Sequence, residues 1–259
     1  PTDRDGNQPG LVNDSLRQLA LGLAARGVAT LRFDKRGVGE SAAAAPSEED
    51  LRFSTYVEDG LRWLITLREE AGPVPIFLVG HSEGALVATM MAQAVAVDGL
   101  VLLSPVGNRA DELIRSQLEA AGLAEPLMQE ADTILRSLQE GQLVEDVSPE
   151  LQPLFRPSVQ PYLLSWFAMD PRDELQKLDL PALVVHGTRD VQVAPESARR
   201  LTEAGDLVEF AAIDGVNHVL KPAPEGREAN IATYRTADPP VDKRVMEAVA
   251  GFMRKVAGR

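Results

Sequence analysis

The chain has 259 residues, of which 44% are hydrophobic and 25% charged, and its formal net charge is -13. This composition is typical of a globular protein with one large core, so we expect a single domain that carries at most an inserted lid. The acidic residues are dispersed and phosphate binding needs a clustered basic surface, so nucleic acid and anionic membranes are disfavoured as partners. The absence of cysteine excludes disulfides, thiolate nucleophiles and cysteine-ligated metals.

No apolar stretch of the sequence is long enough to span a bilayer. The longest, residues 19–31, is interrupted by Arg26. The chain starts at Pro1 without an initiator methionine and without a signal-peptide pattern, so we expect that an upstream segment has been removed. These observations leave the compartment and the oligomeric state open.

Short β-rich runs alternate with longer helical patterns, which is typical of a parallel sheet flanked by helices. Each predicted strand is short and mostly apolar, as expected of a strand buried on both faces. The predicted strands are residues 28–33, 75–79, 100–103, 182–186 and 207–213. Apolar residues at helical spacing predict helices at residues 14–25, 56–70, 84–95 and 239–255. The fold class is therefore α/β.

Residues 106–178 interrupt this alternation with helical patterns, at residues 111–121, 125–140 and 160–168, and with no convincing strand. Because the segment carries its own aliphatic and aromatic side chains, we interpret residues 106–178 as a helical cap. The core domain is then residues 1–105 and 179–259. Trp166, Phe167 and Met169 either line a substrate pocket under the cap or form the core of the cap itself, and the sequence leaves both alternatives open.

The most informative motif is the stretch of residues 80–84, Gly-His-Ser-Glu-Gly, which matches G-x-S-x-G between a predicted strand and a predicted helix. A serine on a strained strand-to-helix turn is expected to need glycine on both sides, because a Cβ there would clash with nearby backbone. The helix N-terminus favours developing negative charge, and the backbone N–H of Glu83 is predicted to donate to an oxyanion. Ser82 is the predicted nucleophile.

A serine hydroxyl needs a base, and the chain has three histidines. His81 adjoins the serine on the same turn, where consecutive side chains point in different directions. His186 ends a predicted strand, and we interpret it as a partly buried structural residue. His218 lies in the loop after the last predicted strand and is the predicted base.

The acid that orients the base is expected between Ser and His in chain order, after a strand of the same sheet. Asp190 fits, because it follows the predicted strand 182–186 through a Gly turn and so reaches the edge where ligands collect in α/β sheets. Among the competing carboxylates, Asp206 precedes a strand and Asp214 is placed to cap a local turn. Asp34 and Asp170 fit less well by position.

Together these motifs resemble the α/β-hydrolase superfamily over the whole chain, and they are most similar to bacterial esterases of the serine-aminopeptidase-like branch. The likeness is carried by residues 1–7, 34–41, 80–84 and 216–221. The resemblance implies an α/β-hydrolase fold, a helical cap, no cofactor, and hydrolysis of small-molecule carboxylic esters through an acyl-enzyme. The expected substrates are esters of small acyl groups.

The sequence departs from this family at its start. Family members carry a Gly-rich loop, after a central strand, just before the stretch that corresponds to residues 1–7, and that loop supplies the second oxyanion donor. Neither is present, so the second donor is expected to be Thr2 or a residue upstream of Pro1. We expect several N-terminal strands to be missing from the chain and the sheet to have a gap beside the nucleophile strand.

Two further motifs resemble ligand-binding loops, and three other functions fit the same sequence. Residues 3–7 resemble the start of a calcium loop, but the glycine is misplaced and the twelfth position is Asp14 instead of Glu, so no metal is predicted. Residues 37–42 approximate a dinucleotide fingerprint without the helix that would bind a pyrophosphate. The alternative functions are a peptidase or an acyltransferase with the same triad, and a non-catalytic binding protein of the same fold.

Overall fold

Four parallel strands form the sheet in this computed structural model, which describes residues 2–45 and 47–258. The strands are β1 (Phe77–His81), β2 (Gly99–Leu103), β3 (Ala182–Gly187) and β4 (Val208–Ile213), and they lie in the order β1-β2-β3-β4. Every neighbouring pair is parallel. Their carboxyl ends therefore meet at one edge of the sheet, where loops can bring side chains together.

Helices cover both faces of the sheet and fill the segment between β2 and β3. In chain order they are α1 (Ser15–Ala24), α2 (Phe53–Ala71), α3 (Glu83–Ala94), α4 (Ala110–Ala120), α5 (Glu125–Gln139), α6 (Gln152–Phe155), α7 (Gln160–Phe167), α8 (Pro171–Gln176), α9 (Pro195–Arg200), α10 (Arg227–Ala232) and α11 (Lys243–Ala257). Short 3-10 helices are Gly39–Ala44, Glu48–Asp50, Pro157–Val159, Leu201–Ala204 and Thr233–Arg235. Within the described ranges, each helix is too short or too polar to cross a membrane.

The alternation of side chains along β2 explains how one strand serves two cores. Leu100 and Leu102 face the core that contains α2 and α3, whereas Val101 and Leu103 face the core that contains α1 and α11. All four are at most 1% exposed. Burying such a side chain contributes about 1.5–3 kcal/mol, so a strand that is apolar throughout is stable only between two helical layers.

The predicted helical segment between β2 and β3 is helical in the structure: α4 to α8 lie there, and the described residues between these two strands include no other strand. Its buried side chains, such as Ile134, Phe155 and Leu163, belong to the same apolar core as α2 and α3. The interpretation of residues 106–178 as a cap stays a prediction.

The predicted strand at residues 28–33 is wrong. The segment belongs to no strand or helix, and Leu31 is 36% exposed. A strand needs a neighbour to bond its N–H and C=O groups, and no described strand pairs with this segment. The outer side of β1 is also unpaired among the described residues, so β1 is an edge strand with Val79 41% exposed. The expectation about residues before Pro1 stays a prediction.

The other strands match their predictions closely, although β1 begins two residues late. The side chain and the backbone of Asp98 both bond to Ile76. The Asp98 carboxylate accepts from the Ile76 N–H at 2.7 Å, and the Asp98 N–H donates to the Ile76 carbonyl at 2.8 Å. These bonds hold Ile76 to the loop before β2 instead of to the ladder. The parallel pairing therefore starts at Phe77, opposite Gly99.

Candidate active site

Ser82 lies on a strained turn between β1 and α3, with φ 54° and ψ -121°. A non-glycine residue rarely adopts a positive φ, and one that does is often found at a functional site. The turn is held by the Ser82 N–H, which donates to the Leu103 carbonyl at the end of β2 at 2.9 Å. At Gly80, an added Cβ would lie 2.1 Å from the Gly84 carbonyl oxygen, so this position requires glycine.

The expectation of a clash on the other side of the serine is wrong. A Cβ built at Gly84 meets no described atom within 4 Å, and Gly84 does not have a positive φ. Only the glycine before the nucleophile is therefore required by close packing. The side of the turn at Gly84 is open.

The structure brings Asp190 and His218 together from two different loops. The His218 Nδ1 lies 2.8 Å from Asp190 Oδ2, and the two side chains are 5% and 0% exposed. Asp190 follows β3 and His218 follows β4, so parallel neighbours deliver both residues to the same edge of the sheet. Because the carboxylate can only accept, Nδ1 carries the proton and Nε2 is left free to accept one.

The second oxygen of the Asp190 carboxylate is also fixed. Oδ1 accepts the backbone N–H groups of Gln192 at 2.8 Å and of Val193 at 2.9 Å. Burial by itself would raise the pKa of the Asp190 carboxyl, but His218 and the Val193 N–H outweigh it and hold that pKa below its usual range. The carboxylate is therefore ionised and has one oriented oxygen for His218.

His81 connects the serine turn to the His218 loop. The His81 Nε2–H donates to the His218 backbone carbonyl at 2.7 Å, and the two rings have centroids 4.9 Å apart. The predicted nucleophile is thus next in sequence to a residue that contacts the predicted base. The Ser82 hydroxyl has no hydrogen bond to the His218 ring among the described residues.

A neutral His81 makes the stability of the fold depend on pH. Burial, with a smaller effect of His218, lowers the pKa of His81 from 6.5 to about 4. Between these values the unfolded chain binds a proton that the folded chain does not, so stability is full above pH 6.5 and falls as the pH drops toward 4. We expect a loss on the order of 2 kcal/mol, measured as the free energy of unfolding in urea from pH 7 to pH 4.5.

The control for this pH dependence is His81→Gln, which keeps a side-chain N–H but removes the titration. Its stability is expected to fall less steeply over the same range. Part of the wild-type slope belongs to His186, whose pKa is lowered by burial in the same direction. Identical slopes for the wild type and His81→Gln would contradict the assignment to His81.

His186 is more deeply buried than expected. It is 1% exposed, and neither ring nitrogen has a hydrogen-bond partner among the described residues. Its Nε2 lies 3.8 Å from Asp190 Oδ2, which is too long for a hydrogen bond. The Asp190 carboxylate therefore bonds to His218, and His186 is buried in the core beside that carboxylate.

The competing carboxylates have other partners or positions. Asp34 accepts the Arg4 N–H at 2.6 Å, Asp170 caps α8 and pairs with Arg200 at 2.8 Å, and Asp214 accepts from the Thr188 hydroxyl at 2.9 Å. Asp206 precedes β4 and so lies at the opposite end of that strand from His218.

A polar network that the sequence did not predict surrounds Glu83. The Glu83 carboxylate binds the Lys35 ammonium on one oxygen and the Tyr162 hydroxyl of α7 on the other. Burial alone would raise the pKa of Glu83, but these two donors outweigh it and hold the pKa below its usual value. Because α3 begins at Glu83, the Glu83 N–H belongs to the first helical turn and has no intrahelical acceptor. The side-chain network therefore anchors the residue whose N–H is the predicted oxyanion donor.

Replacing Tyr162 with phenylalanine is expected to reduce kcat about tenfold, since a hydrogen bond to a charged group contributes about 1.5–3 kcal/mol and part of that holds Glu83 in place. The matched control is Tyr56→Phe. The Tyr56 ring packs edge-on against the Tyr162 ring, with centroids 5.6 Å apart, and the Tyr56 hydroxyl has no hydrogen bond among the described residues. Ester turnover by the two variants is the measurement. Equal kcat values for both would contradict a role for the Tyr162 hydroxyl.

The predicted pocket residues differ in burial. Phe167 is 1% exposed and lies in the main apolar core, and its role in a pocket stays a prediction. Trp166 is partly buried and stacks on Phe53 with ring centroids 6.2 Å apart, and Met169 is partly buried against the same core. Thr2 is exposed, and no described contact joins it to Ser82. The roles of Trp166, Met169 and Thr2 stay predictions.

Comparison with solved structures identifies the class of fold. Est1E from Butyrivibrio proteoclasticus, solved with ferulic acid bound, is 20% identical; the match covers 95% of this chain and 84% of that one, with a TM-score of 0.58. A thermophilic esterase from Thermogutta terrifontis is 19% identical; the match covers 99% and 87%, with a TM-score of 0.55. The parallel sheet and the strained serine turn, together with these similarities, show that the chain has the α/β-hydrolase fold.

Sequence comparison then gives the family. The family model described as "Serine aminopeptidase, S33" matches residues 13–221, and the chain belongs to this family. It is also 25% identical to Esterase EstD of Thermotoga maritima over 249 residues, which is 94% of this chain and 57% of that protein. The chain therefore spans about three-fifths of the length of this curated relative.

Proposed function

We propose that this protein is a serine-dependent ester hydrolase in which Ser82, His218 and Asp190 form the catalytic triad. The observation that carries the proposal is the buried 2.8 Å pair of Asp190 and His218, which His81 connects to a serine with φ 54°. The name of the similar Thermotoga protein, an esterase, supports ester hydrolysis. Esters of small acyl groups are the proposed substrates.

In the proposed mechanism, His218 Nε2 takes the proton of Ser82 as the serine oxygen attacks the ester carbonyl. Asp190 keeps the Nδ1 proton in place and stabilises the imidazolium that forms. The Glu83 N–H donates to the tetrahedral oxyanion, and Thr2 is the proposed second donor. His218 then protonates the leaving alcohol, and water repeats the sequence on the acyl-enzyme.

A fluorophosphonate probe tests this proposal directly, because it reacts with a serine only when a base activates it. We expect one label per chain by intact mass, located on Ser82 by peptide mapping. An unlabelled, folded protein would instead support a binding protein of the same fold and would rule out the triad.

A second candidate function is peptide hydrolysis, which the family description favours. Ester and amide cleavage use the same triad, so labelling cannot separate them. Comparing kcat/KM for short p-nitrophenyl esters with that for aminoacyl p-nitroanilides distinguishes the two. A higher value for the anilides would replace the esterase proposal with a peptidase.

A further inference from the structure

Asn230, a buried asparagine of α10, touches both loops that carry the Asp190–His218 pair. It is 2% exposed; its Nδ2 donates to the Arg189 carbonyl at 2.7 Å, and its Oδ1 accepts from Asn217 Nδ2 at 3.1 Å. Arg189 and Asn217 directly precede the acid and the base in sequence. We propose that Asn230 is a positioning residue that holds the Asp190–His218 hydrogen bond at its working length.

The two loops need such a connection because the sheet no longer aligns them. The pairing of β3 with β4 ends at Gly187 and Ile213, and both loops continue beyond that point. Beyond that point the Thr188 hydroxyl donates to Asp214 and accepts the Gly215 N–H, each at 2.9 Å, and the Arg189 N–H donates to the Val216 carbonyl at 2.8 Å. The Asn230 side chain adds a further link, one residue nearer the base.

The orientation of the Asn230 amide is set by its surroundings. Asn217, which is fully buried, uses both of its Nδ2 protons, one on Asn230 and one on the Thr233 hydroxyl at 2.8 Å, and its Oδ1 accepts the Lys221 N–H at 3.1 Å. Asn217 therefore presents a donor to Asn230. The Asn230 oxygen must face it, which leaves the Asn230 amino group for Arg189. Only a side chain with both a donor and an acceptor satisfies this position.

Removing the Asn230 amide leaves a buried Asn217 N–H and the Arg189 carbonyl without these partners. Buried polar groups recover partners by shifting or by admitting water, and either response separates the two loops. A displacement on the order of 1 Å at a catalytic group can lower a rate about a hundredfold. The expected kinetic effect rests on the proposed function, whereas the effect on the Asp190–His218 hydrogen bond does not.

The test compares Asn230→Ala with Gln18→Ala in the full chain. Gln18 is a matched control, because its amide also bridges two backbone groups, the Ala237 carbonyl at 2.9 Å and the Val241 N–H at 2.8 Å, but away from Asp190 and His218. The first readout is the downfield proton resonance of His218 Nδ1–H at low temperature. The second is kcat and KM for a short p-nitrophenyl ester, with thermal unfolding recorded for each variant.

We expect Asn230→Ala to lose the downfield resonance through exchange with water and to show a kcat about 10- to 100-fold lower, with KM within about twofold of the wild type. Gln18→Ala keeps the resonance and the kcat. If Asn230→Ala does not fold, Asn230→Ser is used, because its shorter side chain cannot reach both partners and the same losses are expected.

Three results would overturn the proposal: a folded Asn230 variant with the resonance and kcat unchanged, a Gln18→Ala variant with an equal loss of kcat, or a wild type without the resonance. A wild type that shows the resonance but has no ester turnover would refute the proposed function alone. In that case, loss of the resonance in the Asn230 variant still supports the positioning role.

Discussion

Replacing Ser82 with alanine is expected to lower kcat for short p-nitrophenyl esters by about ten-thousandfold or more and to abolish fluorophosphonate labelling. The attacking oxygen is lost while binding and the oxyanion donors remain, and removal of a triad serine has an effect of this order. Steady-state turnover and labelling, measured on the same preparation, check both expectations.

Ser104→Ala is the matched control for this substitution. Ser104 follows β2, also has a positive φ, of 43°, and its buried hydroxyl has no hydrogen-bond partner among the described residues. Ser104→Ala also removes a serine hydroxyl from a residue with a positive φ, and turnover is expected to stay within a few-fold of the wild type. If Ser82→Ala kept most of its activity, Ser82 would not be the nucleophile.

The second large effect is expected from Asp190→Asn, which should lower kcat by about a thousandfold to ten-thousandfold with little change in KM. The Gln192 and Val193 N–H groups both point at Oδ1, so the asparagine oxygen is held there. Its amino group then faces His218 Nδ1, which must accept instead of donate. The imidazole proton moves to Nε2, and the base can no longer take the proton of Ser82.

Asp214→Asn serves as the control for this change, because Asp214 lies at the same edge of the sheet but bonds to the Thr188 hydroxyl. Its kcat is expected to stay within about twofold of the wild type, since the Thr188 hydroxyl can still donate to an amide oxygen. Circular dichroism confirms that both variants are folded. Equal losses in the two variants would contradict the specific role of Asp190.

The two central strands, β2 and β3, were predicted well for one physical reason. Residues of β2 and β3 are apolar in succession because helices cover both of their faces, and such a run is visible in the sequence. Residues 28–33 are only partly apolar, with Thr30 and Arg32 among them, and have no paired neighbour in the structure. A run of apolar residues predicts that a segment can be buried. Whether that segment forms a strand also depends on a neighbouring strand with which its backbone can pair.

The short helices α8, α9 and α10 were not predicted, because six residues give fewer than two turns in which a period can be recognised. A signal was present for α8: Asp170 accepts the first N–H groups of that helix, and Pro171 occupies its first position. Reading this pair as a helix start would have found α8. No comparable signal precedes α10.

The parts of the candidate site that follow from the order of residues along the chain could be predicted. Contacts between residues far apart in sequence could not. Three histidines and the order of the triad led to Asp190 and His218, and these two side chains are in contact in the structure. The partners of Glu83 lie 48 and 79 residues away, at Lys35 and Tyr162, and no spacing rule connects them. Asn230 likewise could not be predicted, because it lies in a polar stretch of the sequence and matches no motif.

The positive φ of Ser82 means that stability and the proposed chemistry impose opposite demands on one residue. Left-handed backbone disfavours a side-chain-bearing residue by roughly 1 kcal/mol, and glycine would relieve that strain. Selection for stability alone would therefore favour glycine over serine at this position. Any effort to make the protein more heat-resistant has to hold position 82 fixed and seek its gains elsewhere in the chain.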